Sequence, residues 1–421
     1  MWPPVSIVIL LVVFALIVVR RVGNVRIHIW QAMLIGAVAV LVTMQLSPAD
    51  ALGAINVDVM VFLFGMFVVG EALEESGYLE HLSHRMLGSA RTSGRLVLLL
   101  ILGIGLASAL LMNDTLAIIG TPMVLLLAKR HSLPPKMLLL ALAFAVTIGS
   151  VMSPIGNPQN LLIAVEGESH GILTNPFVTF LAYLFLPTLI NLLLAYVLLR
   201  LFFKDAFDRT IEAHPPEPIK DPWLATLVKA SLAIILAMIA VKVAIVLLGW
   251  QDTYDLRLTY IALAGAAPIL LLSPKRVRVV KGVDWATLVF FASMFVLMQA
   301  VWNSGFFQGF IEGDGVDITS LGLILLVSVA LSQLISNVPM VALYIPMLLA
   351  AGAGRSEMVA LAAGGTIAGN LTILGAASNV IIIQNAERKG GETLSFAEFA
   401  KVGVPLTLVN VLVYWAFLAV M

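Results

Sequence analysis

The sequence predicts an all-α polytopic membrane protein: about ten transmembrane spans plus two re-entrant hairpins, arranged as two inverted repeats with broken helices. Three observations predict it. Of 421 residues, 61% are hydrophobic and 11% charged. A soluble domain carries roughly 45–50% and about 25%, so this inventory cannot build a water-exposed surface. Apolar runs of about 20 residues, enough to cross a hydrocarbon core of about 30 Å, recur along the chain. Its two halves also match each other at Asn, Gly and Pro positions. The longest hydrophilic stretch, Lys204 to Pro222, is too short for a soluble domain. The 24 Lys and Arg balance 24 Asp and Glu, which removes a basic footprint for nucleic acid. With no cysteine, disulfides, thiolate metal sites and thiol nucleophiles are excluded.

The ten spans fall at about residues 4–19, 28–46, 57–75, 135–165, 176–202, 223–250, 258–273, 285–303, 355–386 and 395–420. Segments 96–128 and 316–352 are too long for one helix and are interrupted by Asn and other polar residues, which reads as re-entrant hairpins. In the first span Arg20 and Arg21 follow the apolar run; a signal peptide places its charges before it. The expectation is a retained span with the N-terminus outside, in the cell (inner or plasma) membrane. Lys and Arg near span ends prefer the cytoplasm. In this topology 20 of the 24 fall inside, among them Arg85, Arg130 and Lys275, and only Arg257 and Arg355 outside. Lys229 and Lys242 lie within a span and are expected to snorkel to the interface.

A shift of 228 aligns Val61, Phe62, Met66, Phe67, Val68, Ala72, Ser76 and Gly77 with identical residues from Val289 to Gly305. A shift of 224 aligns Ser108, Asn113, Pro122 and Met123 with Ser332, Asn337, Pro346 and Met347. A shift of 219 aligns Thr147, Gly156 and Asn160 with Thr366, Gly375 and Asn379. Aligned Asn, Gly and Pro in three successive elements are not the chance matching of leucines. The division is therefore an extra N-terminal span over 1–27, a first repeat over 28–202, a linker and connecting span over 203–257, and a second repeat over 258–421. The halves run oppositely through the membrane. Inverted repeats with discontinuous helices are the build of many secondary transporters, with the solute near the midplane.

Four interruptions carry polar residues to membrane depth: Asn113, Asp114 and Thr115; Ser153 to Asn160, including Gly156, Asn157 and Gln159; Ser336 and Asn337; and Asn370 to Asn379, including Thr372, Gly375 and Ser378. Non-helical backbone at that depth is tolerated only inside protein or beside a watery cavity, so the breaks are expected to converge on a substrate and ion site. Pro154 and Pro158 remove N–H donors and stop the helix closing through the gap. Asp114 is the sharpest residue. A carboxylate at helix centre costs about 2.5–3.5 kcal/mol on insertion scales, so it is expected to couple a proton or Na⁺ to solute movement, with Asn113 beside it as a partner for Na⁺. Its repeat counterpart is Val338. Glu71 aligns with Gln299 and reads as an end residue. All six histidines, including His84 and His214, fall in loops or at span ends, which leaves no histidine relay. No GxxxxGK[ST] loop exists, so no ATP-binding P-loop is present and no cofactor is expected beyond a coupling H⁺ or Na⁺. ATP-driven pumping would need a cytosolic ATPase subunit as partner.

LLMNDTLAIIGTP at 110–122, MSPIGNPQNLLI at 152–163, LISNVPMVALYIP at 334–346 and the Gly375–Asn379 break resemble the ion transporter superfamily. Its branches include ArsB-type arsenite permeases, NhaD-type sodium/proton antiporters, and sodium-coupled dicarboxylate and sulfate carriers. The resemblance covers about residues 28–420. It implies a scaffold, a transport domain of hairpins and broken helices, elevator-like movement and a homodimer. The dicarboxylate branch carries Ser-Asn-Thr at both tips; here they read Met112-Asn113-Asp114 and Ser336-Asn337-Val338. The Asn-Asp tip is similar to the ArsB type. The leading expectation is a secondary transporter, not an enzyme, that exports arsenite, antimonite or a related small inorganic solute or anion by proton exchange. The alternative is an Na⁺/H⁺ antiporter or an Na⁺-coupled anion carrier.

Overall fold

Helix starts follow capping chemistry written in the sequence. Ser47, Asn56, Thr92, Asn157, Asn175, Asp284 and Ser395 each accept a hydrogen bond from a backbone N–H in the first turn of the helix they precede, satisfying groups that have no intrahelical partner. In the computed structural model, residues 4–19, 21–22, 25–78, 81, 90–211, 219–248, 250, 256–306 and 317–421 are described. Arg20, His84, Arg85 and His214 lie outside them.

The first half contains α1 (Val5–Val19), α2 (Ile29–Val42), α3 (Pro48–Ala54), α4 (Val57–Ser76), α5 (Ser93–Ser108), α6 (Asn113–Arg130), α7 (Pro135–Ser150), α8 (Pro158–Ser169) and α9 (Pro176–Phe202). The second contains α10 (Pro222–Leu247), α11 (Leu258–Leu272), α12 (Arg276–Gly282), α13 (Trp285–Asn303), α14 (Leu321–Ile335), α15 (Asn337–Ala350), α16 (Arg355–Ile367), α17 (Ala377–Gly390) and α18 (Phe396–Leu418). A two-residue antiparallel pair, Arg21–Val22 with Val25–Arg26, follows α1. Among the described residues, α9, α10, α13 and α18 are long and apolar enough to cross a membrane singly, and α3 with α4, bent by 54°, pass the same test of length and composition together. Other apolar helices run only 10–17 residues. Several are short because the expected spans and hairpins are interrupted. Segment 135–165 divides into α7 and α8, 355–386 into α16 and α17, and the two hairpins into α5 with α6 and α14 with α15.

Packing repeats between the halves. α2 packs on α13 as α11 packs on α4, so each half lends its opening helix to the other. α5 packs on α7 as α14 does on α16, and α6 packs on α17 as α15 does on α8. The equivalence extends further than the aligned sequence. α1 packs on α2 and α13 just as α10 packs on α11 and α4, so the helices placed outside the repeats, in 1–27 and 203–257, occupy equivalent positions. Two groups of helices result: α1–α4 with α10–α13, and α5–α9 with α14–α18.

Polar contacts mark the seam between these groups. Lys242 on α10 is 5% exposed; its Nζ donates to Glu168 at the end of α8 and to the Leu256 carbonyl. A lysine expected to snorkel is instead buried in an ion pair. Asn56 Nδ2 donates to Glu166 Oε1 at 3.0 Å, across the same seam. At the opposite end of α10, Lys275 bonds Asp221 at 2.7 Å and holds its carboxyl below the usual carboxylate range.

Candidate functional site

Each of the four expected interruptions is present. The first hairpin turns through 109–112, and the first break spans 151–157. The second hairpin turns at a single residue, Ser336, and the second break spans 368–376 as two short 3₁₀ turns, Ala368–Asn370 and Ile373–Gly375. Ser336 has φ 72° and ψ 161°, a conformation that costs a non-glycine residue on the order of 1–3 kcal/mol.

The first break is closed by its own side chains. Asn157 Oδ1 caps α8 by accepting from Asn160 N at 2.8 Å, and its Nδ2 donates to Ser150 Oγ at 2.9 Å and Thr366 Oγ1 at 3.2 Å. Asn160 Nδ2 donates to the carbonyls of Ser150, Val151 and Ser153 at 3.1, 3.2 and 3.1 Å, and its Oδ1 accepts from Thr366 Oγ1 at 3.1 Å. Gln159 Nε2 reaches the same Thr366 hydroxyl at 3.5 Å, and Ser153 Oγ accepts from Ile155 N at 3.3 Å. Gly156 permits the approach of neighbouring backbone, since a Cβ there would lie 2.7 Å from the carbonyl oxygens of both Ser108 and Ser150. The first hairpin meets this break through Asn113 N, which donates to Gly156 O at 2.9 Å.

The second break repeats the backbone of the first but not its closure. Asn379 Nδ2 donates to the carbonyls of Gly369 and Thr372, as Asn160 does to the equivalent Ser150 and Ser153. The equivalent of the Thr366–Asn160 bond is missing: Thr147 Oγ1 and Asn379 Oδ1 are both buried without a partner. Ala376 stands where Asn157 does, and α17 starts with no side-chain cap. Ser378 Oγ in that first turn and Asn370 Oδ1 are also buried and unpartnered. At the two hairpin tips, so are Asn113 Oδ1 and Asn337 Oδ1. Thr372 Oγ1 donates to Gln333 Oε1 at 2.7 Å. Gly375 leaves room for the same amide, which would lie 2.9 Å from a Cβ there.

The halves are joined at the breaks. Thr366 of α16 serves Asn157, Gln159 and Asn160 of the first half, and Thr147 of α7 lies against Gly369 of the second. Asp114 lies in the first turn of α6, where the N-terminal partial charge favours an anion, and Asp284 is close enough to act on it electrostatically. Thr115 abuts α4, 2.9 Å from where a Cβ on Gly70 would sit.

Sequence reading aligned Thr147 with Thr366 without placing either at the site, and it missed Gln333 and Asn410, whose Oδ1 accepts from Asn370 Nδ2 at 3.0 Å. It also missed Thr188, which bonds the Tyr414 hydroxyl at 2.7 Å. A signal existed for some: the shift of 219 aligns Thr188 with Thr407 and Asn191 with Asn410.

Comparison with known proteins bears on this arrangement. Residues 9–364 match the CitMHS family, described as citrate transporters. The uncharacterized transporter Rv2684 of Mycobacterium tuberculosis is 31% identical over 410 residues, covering 92% of each chain. The silicon efflux transporter LSI3 of Oryza sativa subsp. japonica is 29% identical over 451 residues, covering 89% of each. The crystal structure of the YdaH transporter of Alcanivorax borkumensis, described as having an unusual topology, shares the fold at a TM-score of 0.60 and 17% identity, covering 99% of this chain and 97% of that one. The chain belongs to the CitMHS family of membrane transporters, within the superfamily of ArsB- and NhaD-type permeases.

Proposed function

We propose that the protein is a secondary active transporter of the cell membrane, N-terminus outside, that exports arsenite, antimonite or a related small hydroxylated inorganic solute in exchange for protons. The observation that carries this reading is the set of open polar atoms at the hairpin tips and the second break. Four of them, on Asn113, Asn337, Asn370 and Asn379, are amide oxygens, and buried acceptors left without a donor cost roughly 1–3 kcal/mol each. A solute that brings O–H donors, as neutral arsenous acid does, offsets that cost. The hairpin tips and breaks hold no Arg or Lys, which speaks against tight binding of a multiply charged anion such as free citrate. The relative LSI3 is named for efflux of silicon, an inorganic cargo of the same general kind. Asp114, the one carboxylate at the tips and breaks, takes the coupling proton. In this reading α1–α4 with α10–α13 form the scaffold, and α5–α9 with α14–α18 the part that moves.

A second reading rests on the same oxygens. Amide and carboxylate oxygens also suit Na⁺, and Asn113 Oδ1 beside Asp114 favours an Na⁺/H⁺ antiporter or an Na⁺-coupled carrier. Radiolabelled arsenite flux in reconstituted vesicles, with pH and Na⁺ gradients imposed separately, decides between them. The proton reading expects flux that follows the pH gradient and falls by about 10²-fold or more in Asp114→Asn, the scale of losing a positioned proton-transfer group. Arsenite that stays put in vesicles still exchanging Na⁺ for H⁺ would replace it with the second reading.

A further inference from the structure

The two hairpins are fastened to their breaks by different means. In the first half the fastening is backbone: Asn113 N donates to Gly156 O at 2.9 Å. No equivalent bond from Asn337 N to Gly375 O exists among the described residues. In its place stands one side chain. Gln333, on the first limb of the second hairpin, donates from Nε2 to Ala368 O at 2.9 Å and to Val329 O at 3.0 Å, and accepts from Thr372 Oγ1 at 2.7 Å. Its counterpart under the shift of 224 is Ala109, which has nothing to reach with. The second break in turn lacks the internal amide of the first, because Ala376 replaces Asn157. The backbone at the two positions is alike, φ −148° and ψ 145° against φ −155° and ψ 160°. The difference is therefore in the side chains.

We infer that Gln333 is a positioning residue: it holds the second hairpin against the second break and governs access to the open polar atoms of Ser378, Asn379 and Asn370. A backbone bond between hairpin and break can be lost only by moving the chain. A side-chain tether is released by one rotamer change, on the timescale of local opening. The second hairpin is thus the one that parts from its break, and its strained tip at Ser336 favours the parting. The first hairpin stays fastened.

Hydrogen exchange of backbone amides in the full-length protein in nanodiscs tests this without any solute, so it stands apart from the cargo proposed above. In Gln333→Ala the amides of 337–340 and 370–379 are expected to exchange about tenfold faster or more, as for loss of a half-buried hydrogen bond or two. Those of 151–160 keep parental rates. In Gln333→Ala with Ala376→Asn, which restores an α17 cap like that of Asn157, 376–380 should regain protection while the hairpin tip stays fast. Gln333→Met, of similar volume, replaces the alanine variant if that does not fold. Parental exchange at the tip in the single variant would overturn the inference, as would recovery of the tip in the double variant.

Discussion

At the first break, Asn160 donates to three carbonyls and accepts from Thr366; at the second, Asn379 donates to two and its Oδ1 accepts from nothing. The same asparagine, in the same place of a repeated fold, is spent on structure in one half and left with an open acceptor in the other. Thr366 and Thr147 divide in the same way, one hydroxyl serving three amides and the other buried without a partner. Buried polar groups are nearly always paired, and the proposed transport reading takes the unpaired ones at the second break as partners held for the solute. Symmetry supplies two equivalent breaks. Replacing Asn157 by Ala376, Ser150 by Gly369 and Gln159 by Ser378 opens one of them.

The contrast can be broken by matched substitutions, beginning with the asparagines. Asn160→Ala removes four hydrogen bonds and should destabilise by about 3–4 kcal/mol, Asn379→Ala by about 1–2 kcal/mol. Thermal unfolding in detergent measures both, and equal costs would erase the distinction. The threonines are cleaner, since valine keeps the shape. Thr366→Val removes a hydrogen bond from each of three amide groups, of which Asn157 keeps Ser150, and should cost about 2 kcal/mol, whereas Thr147→Val should stay within about 0.5 kcal/mol of the parent.

Glycines sharpen the comparison from the other side, because here the halves agree. Gly156→Ala and Gly375→Ala each push a Cβ to within 2.7 and 2.4 Å of a carbonyl oxygen, and both should cost about 1–3 kcal/mol by overpacking. A large difference between them would mean that one break relaxes freely. An effect of the opposite sign belongs to the second hairpin tip. Ser336→Gly relieves a positive φ and should stabilise by up to about 1 kcal/mol, set against the entropy glycine adds to the unfolded chain.

The positions of the breaks were legible because Asn, Pro and Gly cannot hide in an apolar helix. Pro158 begins α8 and Asn157 caps it, so the sequence around 151–160 announces its own interruption. The repeat was legible for the same reason, through Asn113 and Asn337, Gly156 and Gly375. The outer helices were not. α1 and α10 are almost wholly apolar, and hydrophobic contact with lipid leaves no residue-specific mark to align. Nor could partners be read from spacing. Thr366 lies 206 residues from Asn160, and the packing of α16 on α8 between the halves brings them together. Lys242 read as a snorkelling residue because its partner Glu168 lies 74 residues away. Gln333 sat in an apolar run with nothing to distinguish it from a tolerated polar side chain.

The most direct test of the asymmetry is arsenite flux per folded molecule in vesicles under an imposed pH gradient, with Thr147→Val and Thr366→Val measured side by side. The account predicts that Thr147→Val keeps parental stability and loses flux, while Thr366→Val loses stability and keeps its flux per folded molecule. Parental flux in Thr147→Val, beside a stable Thr366→Val that no longer transports, would place the working half-site at the first break and contradict it.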